Sequence, residues 1–243
     1  MIDTHCHIDM YKNPHSIAQE SERLGITTIG MTQLPSHFEL GYNHVLMYKK
    51  VRLALGMHPL KSEFHEEEFD NFVFFLDRTS YIGEIGLDYS KEGIESKEKQ
   101  LSSFKKILFV LKDRKKIIGL HSRRAEKDVL SLLIDYKIIN AIFHWYTGPV
   151  SLIKDILKQG YYFSINPAMT KSLNGKKIIK AIPPDRVLTE SDGPFAMFNK
   201  IPTKPKDVFY VQEYLSHQWQ MPLNQVNQQI DSNFASLINY IKS

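Results

Sequence analysis

Cysteine is almost absent from this chain: one residue, Cys6, among 243 rules out an intramolecular disulfide framework, so a reducing, cytoplasmic setting is expected. Long apolar runs are absent as well. No stretch approaches the 18 apolar residues of a spanning helix, and no basic segment leads into an apolar run at the start. Neither a membrane partner nor a signal peptide is therefore expected. Internal repeats and low-complexity segments are missing, which leaves no sign of a repeat architecture or a disordered tail. What is present is ordinary globular material, 42% apolar and 24% charged, enough for a large core. A formal net charge of +4 permits a polyanionic partner without demanding one.

The length is close to the ~250 residues usual for one (β/α)8 barrel, and the periodicity agrees with it. Apolar runs at Ile2 to Ile8, Ile26 to Met31, Val51 to Leu55, Tyr81 to Ile85, Ile117 to Leu120, Ile138 to Phe143, Tyr161 to Ile165 and Val187 to Glu190 read as eight strands. Between them lie helical stretches: Pro14 to Leu24 before Gly25, Pro35 to Lys50, Glu66 to Arg78, Ser96 to Lys115, Arg124 to Tyr136, Val150 to Gln159 before Gly160, and Gly175 to Ile182. Two more helices, Lys206 to Gln218 and Leu223 to Ile241, close the chain. Strands alternating with helices and no break in composition predict an α/β fold, a single (β/α)8 TIM barrel over 1–243. A doubly wound open sheet is the alternative, but no glycine-rich phosphate loop follows strand 1.

Barrel enzymes carry their chemistry at the C-terminal ends of the strands. In this chain those ends hold His5-Cys6-His7-Ile8-Asp9, Gly56-Met57-His58-Pro59, Gly83-Glu84-Ile85-Gly86-Leu87-Asp88, His121-Ser122-Arg123, His144-Trp145-Tyr146 and Glu190-Ser191-Asp192. Five of the ten histidines fall there, so the clustering is not random scatter. Asp3, His5, His7 and Asp9 alternate with Ile2, Cys6 and Ile8, which predicts a strand with one ligand-rich face. Residues two apart on a strand lie roughly 6–7 Å from one another, within reach of a shared cation held at about 2.0–2.1 Å. On its own such a pair is equally two polar residues on an exposed edge. Glu84, between glycines at the end of a buried strand, is either a structural acid or a ligand, and the cost of an unpaired buried carboxylate favours the ligand. His121 and His144 are ligands or satisfied core histidines. Asp192 is a ligand or the cap of a Ser-Asp-Gly-Pro turn. His58, before Pro59, shapes the rim, touches substrate or binds metal. Cys6 faces away from the ligands and is expected to be a packed thiol.

Taken together, these residues resemble the TatD family of metal-dependent deoxyribonucleases, from Ile2 to about Ile238. Its Asp-x-His-x-His-x-Asp motif is matched by Asp3, His5, His7 and Asp9, its Gly-x-His-Pro by Gly56, His58 and Pro59, and its Gly-Glu-x-Gly-Leu-Asp by Gly83, Glu84, Gly86, Leu87 and Asp88. The His-x-Arg motif corresponds to His121 and Arg123, His-x-x-x-Gly to His144 and Gly148, and Glu-Thr-Asp-x-Pro to Glu190, Asp192 and Pro194, with Ser191 in place of Thr. The stretches Asn13-Pro14-His15, Ser122-Arg123-Arg124, Asn166-Pro167-Ala168-Met169 and Ser191-Asp192-Gly193-Pro194-Phe195 resemble, more narrowly, the TatD-type nuclease of the Qat anti-phage defence system. Trp145-Tyr146 stands where Cys-Phe is usual, and Asn166-Pro167 where most members are glycine-rich.

The resemblance implies a DNase with two divalent metal ions, Mg, Mn or Zn. His5, His7, Glu84 and Asp192 would surround one ion, and Glu84 would bridge to a second held by His121 and His144. Catalysis would fall to Asp192, as general base, and Glu84. Asp9 and Asp88 would orient ligand histidines from behind. Arg123 and Arg124 would hold phosphate, although Arg124 also fits a solvated helix position. His58 would touch substrate. Trp145 and Tyr146 are candidates to stack on a base, with one of them expected in the core. DNA is the expected partner, with other Qat proteins as further ones. Two other classes fit the same frame: a metal-dependent deacylase or amidohydrolase acting on a carbonyl, and a non-catalytic barrel within a defence complex. The first often bridges its metals with a modified lysine on strand 4, where this chain has Glu84. Intact candidate ligands speak against the second.

Overall fold

Eight parallel strands pair in the order of the sequence: β1 (Ile2–Cys6), β2 (Thr27–Met31), β3 (Val51–Gly56), β4 (Tyr81–Gly86), β5 (Ile117–His121), β6 (Ala141–Phe143), β7 (Tyr162–Ile165) and β8 (Val187–Thr189). This is the nearly closed (β/α)8 barrel, seen in a computed structural model that describes residues 1–243. The seam between β8 and β1 is closed by threonines. Thr4 Oγ1 donates to the Thr189 carbonyl at 3.1 Å, and Thr189 Oγ1 donates to the Ile2 carbonyl. Just beyond the strand ends, Asp192 N donates to His5 O at 2.9 Å and His7 N to Gly193 O at 2.8 Å. Closure thus joins residues more than 180 positions apart, at the rim where the candidate ligands lie.

The outer helices are α1 (Pro14–Leu24), α2 (Pro35–Val45), α3 (His65–Phe75), α4 (Lys97–Leu111), α5 (Glu126–Asp135), α6 (Val150–Lys158), α7 (Pro167–Lys171), α8 (Leu173–Ala181), α9 (Val208–Trp219) and α10 (Leu223–Lys242). α1 shows how local sequence sets such an element. The Asn13 side chain accepts from Ser16 N at 3.1 Å, Pro14 occupies the first helical position, and Gly25 ends the helix in left-handed backbone at φ 67°. Its inner face buries Ile17, Ala18 and Ser21. The sequence spaces Leu101, Phe104, Leu108 and Leu111 of α4 three and four residues apart, and the helix buries the last three together with Ile107, leaving Leu101 half-buried. One apolar cluster runs from Ile2 to Leu237.

Several boundaries differ from expectation, each for a local reason. α5 starts at Glu126 because Arg124 sits in left-handed backbone at φ 60°. β6 starts at Ala141 because Lys137 turns left-handed (φ 56°) and Ile138 N caps the preceding helix on Leu133 O at 2.9 Å. The short α7 was not expected, although its start is conventional: Asn166 accepts from Met169 N at 3.1 Å, ahead of Pro167. A hairpin of β9 (Met197–Phe198) and β10 (Ile201–Pro202) was also not expected.

Two departures matter for function. Ile82 and Ile85 of β4 pair with Ile118 and Leu120 of β5, so β4 carries one extra residue there. β1 does the same against β2, where Asp3 and Cys6 pair with Thr28 and Gly30. Such bulges are uncommon in parallel pairing and re-aim the side chains they hold. One bulge contains Glu84, at φ 53°, and the other contains His5.

Candidate metal centre

β1 ends at Cys6 and not at Ile8. His7 leaves the strand (φ −85°, ψ 73°), and Ile8–Met10 form a single 3-10 turn. Even so, the two histidines meet, with their Nε2 atoms 3.3 Å apart. Both rings are buried, at 1% and 2% exposure. Around them, His5 Nε2 lies 3.2 Å from Glu84 Oε1 and 3.7 Å from Asp192 Oδ1, while His7 Nε2 lies 3.5 Å from Asp192 Oδ1. His144 Nε2 approaches Glu84 Oε1 at 3.3 Å and His121 Nδ1 does so at 3.8 Å. All six expected ligands therefore converge on one buried point at the barrel mouth. Atoms able to ligate fall within 4.8 Å of one another in three sets: His5, His144 and Asp192; His5, His7 and Glu84; and His58, Glu84 and His121. These sets place His144 with His5, on which its ring is stacked at 3.8 Å, and place His121 with His58 and Glu84.

The donors fit a divalent cation on a direct observation. His121 Nδ1 and Glu84 Oε1, which face one another at 3.8 Å inside the cluster, are buried without a hydrogen-bond partner. Buried polar atoms are otherwise almost always paired, and imidazole nitrogen with carboxylate oxygen is a common donor set for such ions. The backbone points the same way. Glu84, Trp145 and Asp192 all adopt left-handed φ (53°, 33° and 46°) at strand ends, a conformation that costs of order 1–3 kcal/mol each and clusters at functional sites.

Electrostatics further distinguish the residues. Burial opposes ionisation of Glu84, but the neighbouring His58, 2.8 Å from Oε2, and the nearby rings of His121 and His5 outweigh it, holding the carboxyl well below its usual range. Burial and the adjacent His144 push His5 down to about 4. For His121, burial works downward but is overcome by Asp88 and Glu84, which raise it to about 9. The Asp88 contact is direct: His121 Nε2 donates to Asp88 Oδ2 at 2.7 Å. That bond fixes the tautomer and turns Nδ1 toward Glu84. Asp88→Ala is expected to weaken divalent-cation binding about 10- to 100-fold in isothermal titration calorimetry. Affinity unchanged from the parent would remove Asp88 from that role.

Other expected supports are placed differently. Asp9 is exposed on the 3-10 turn and makes no hydrogen bond to either His5 or His7; it acts on His7 through charge alone. Asp3, fully buried, accepts from Ser191 N at 2.8 Å, Ser191 Oγ at 2.6 Å and His5 N at 3.2 Å, clasping β1 to the end of β8. His58 was expected to touch substrate. It borders the cavity, but both its ring nitrogens are engaged: Nδ1 accepts from Leu60 N at 3.1 Å and Nε2 faces Glu84 Oε2 at 2.8 Å. An imidazole accepting at Nδ1 carries its proton on Nε2 when neutral, so His58 donates to Glu84 and has no lone pair left for a metal. Glu190 was noted at a strand end without a role. It is fully buried, accepts from Trp145 N (3.0 Å), Asn166 Nδ2 (3.0 Å) and Ser164 Oγ, and lies 3.7 Å from His144 Nδ1. Its sequence signals are its place at a strand end and in the Glu-x-Asp-x-Pro motif, neither of which tells what it holds.

Above the cluster opens a cavity of about 670 Å³. Arg123, Lys61, Trp145 and Phe195 help line it, whereas the exposed Arg124 does not. Of the arginine pair, Arg123 is the one that borders the centre. Tyr146 is core, at 1% exposure, while Trp145 faces the cavity. Cys6 is buried with Sγ 3.7 Å from Gly193 O, and burial pushes its thiol well up.

Comparison with known proteins gives a consistent result. The family profile described as TatD related DNase matches residues 2–239. An uncharacterized metal-dependent hydrolase of Methanocaldococcus jannaschii is 26% identical over 96% of this chain and 94% of its own. A human deoxyribonuclease is 22% identical over 89% of this chain and 86% of its own. The crystal structure of a TatD homolog from Escherichia coli K12 superposes with a TM-score of 0.88 at 22% identity, covering 98% of this chain and 97% of the other. At that identity the structural likeness speaks to the fold.

Proposed function

The chain belongs to the TatD-related DNase family of hydrolases, and from that membership we propose that it is a deoxyribonuclease using two divalent cations to hydrolyse phosphodiester bonds, in anti-phage defence beside other Qat proteins. The observation that carries the reading is the convergence of Nε2 of His5, His7 and His144 with His121 Nδ1, the Glu84 carboxylate and Asp192 Oδ1 at one buried point, where His121 Nδ1 and Glu84 Oε1 have no hydrogen-bond partner. Glu84 is shared: its two oxygens face histidines from β1, β5 and β6 and from the loop after β3. His5, His7 and Asp192 with Glu84 would hold one cation, and His121 and His144 with Glu84 the other. Bound cations of this kind lower the pKa of water and stabilise the oxyanions of an in-line displacement. Histidine-rich donors favour Zn or Mn over Mg.

This chain's residues supply the rest. Asp192 takes the proton of the attacking water at a carboxylate oxygen. Arg123, half-exposed and joined only weakly to Glu92 (3.9 Å), is free to grip a phosphate oxygen. Arg123→Ala is accordingly expected to weaken DNA binding across sequences and to reduce the salt slope by about one unit, measured by fluorescence anisotropy from low to moderate salt. A slope equal to the parent's removes that contact.

The reading is tested by incubating the protein with labelled single- and double-stranded DNA, RNA and a model aminoacyl ester, each with and without Mg, Mn or Zn. Cleavage of DNA that requires a divalent cation is expected. Hydrolysis of the ester with no cleavage of DNA would establish the deacylase instead. The defence role predicts that phage plating recovers when Glu84→Gln replaces the parent in cells carrying the whole system.

A further inference from the structure

The basic and the exposed apolar parts of the cavity lining come from different loops. Those after β3 and β5 contribute Lys61 and Arg123, those after β8 and β1 contribute Phe195 and Met10, and the less exposed Leu60 and Trp145 complete the apolar lining. In an eight-strand barrel paired in sequence order, β4 lies across the mouth from β8. Lys61 and Arg123 thus flank Glu84 on one side and the exposed apolar pair stands on the other, with the candidate ligand cluster at the floor of the same cavity.

The apolar pair is exposed, Phe195 at 50% and Met10 at 46%. Isolated exposed apolar side chains are commonplace. These two differ because they border the same cavity as the ligand cluster, and because Phe195 is held in place. Its ring stands edge-on to His7, with centroids 4.8 Å apart and planes at 79°, which leaves the ring set by the metal centre while half its surface faces the opening. Phe195 follows the left-handed Asp192, and Ala196 N returns to Asp192 O at 2.9 Å, so the loop carrying the ring is pinned to a candidate ligand. A site with cations at one end, acids and imidazoles in the middle and a flat apolar ring at the other matches the polarity of a nucleotide, which presents a charged phosphate and a flat π-faced base.

Resting on the DNase reading, we propose that Phe195, backed by Met10, is the platform on which the base beside the cleaved phosphodiester stacks. Every base has a π face, so the platform orients the strand without selecting its sequence. Phe195 acts on the substrate and leaves cation binding unchanged.

The test uses a single-stranded oligonucleotide carrying one abasic tetrahydrofuran residue, with cleavage resolved bond by bond, for the parent, Phe195→Ala and Phe195→Trp. Loss of one stacked base is expected to slow the parent about tenfold at one bond flanking the abasic residue. Phe195→Ala is expected to cut all bonds about tenfold more slowly and to show no further dip at the abasic residue, and Phe195→Trp to restore both rate and dip. Calorimetric cation affinity should be the same in all three. A parent that cuts DNA without a dip, or an alanine variant that keeps the dip at full depth, overturns the platform and leaves the DNase reading standing. A parent that cuts no nucleic acid overturns both.

Discussion

Replacing Glu84 with glutamine is expected to abolish cation-dependent DNA cleavage, a loss of about a thousandfold to ten-thousandfold if several kcal/mol of charge stabilisation disappear with it. The substitution is nearly isosteric, so the buried space changes little. What changes is charge. Glu84 is the one group that faces His5, His58, His121 and His144 together, and an amide cannot draw two cations toward a shared oxygen as a carboxylate does. The metal-free variant is expected to unfold cooperatively, as the parent does. Added cation should raise the parent's midpoint, because a ligand that binds only the folded state stabilises it, and should raise the variant's far less. Thermal unfolding with and without Mn or Zn, beside a cleavage assay, measures both effects. Full activity in Glu84→Gln would end the proposal of a bridged pair of cations.

The second large effect is on stability, at Gly56. A Cβ there would lie 1.5 Å from the Thr32 carbonyl oxygen and 2.5 Å from its carbon. Thr32 cannot retreat easily, since its hydroxyl donates to Ala54 O at 2.9 Å and accepts from Gly56 N at 3.1 Å, tying the end of β2 to β3. The obstacle is backbone and not a flexible side-chain tip. At Gly83, by contrast, the nearest atom is the Met31 sulfur at 2.1 Å, which has rotamers to move through. Gly56→Ala is therefore expected to cost about 3–5 kcal/mol, lowering the thermal midpoint by about 10 °C for a domain of this size. Gly83→Ala should cost clearly less. Gly56→Ala should also weaken cation binding, because His58 follows two residues later and would be displaced from Glu84. A midpoint within about 1 °C of the parent would show that the β2–β3 junction yields more readily than its hydrogen bonds imply.

Much of the barrel was legible because strands and helices obey short-range rules. α1 was read to the residue because an asparagine cap, a proline at the first position and a terminal glycine act within a few residues of one another. The β9–β10 hairpin was missed for a related reason. Its two-residue turn is Asn199-Lys200, both with positive φ (51° and 63°), and the lysine hides the Asn-Gly signature such turns usually carry. Candidate ligands were legible because metal-binding side chains fell repeatedly at strand ends. Their supports were harder to read. Asp3 and Asp9 share a motif and a predicted face, yet one is a buried clasp on Ser191 and the other an exposed residue on a turn. Phe195 and Glu190 carried no periodic signal, because each depends on what stands across the barrel mouth.

The sequence by itself determined the architecture and the chemistry available to it: alternation at periods of two and 3.6 dictates strands and helices through local sterics, and the order of residue types sets which donors reach the rim. Only the tertiary structure decided which of those donors meet. Bulges in β1 and β4 aim His5 and Glu84 at one point, left-handed backbone at Glu84 and Asp192 is held there by surrounding packing, and the β8–β1 seam brings Asp192 to His5. Each of these depends on pairing between distant segments, whose energy appears only when the barrel closes, so no local pattern records it.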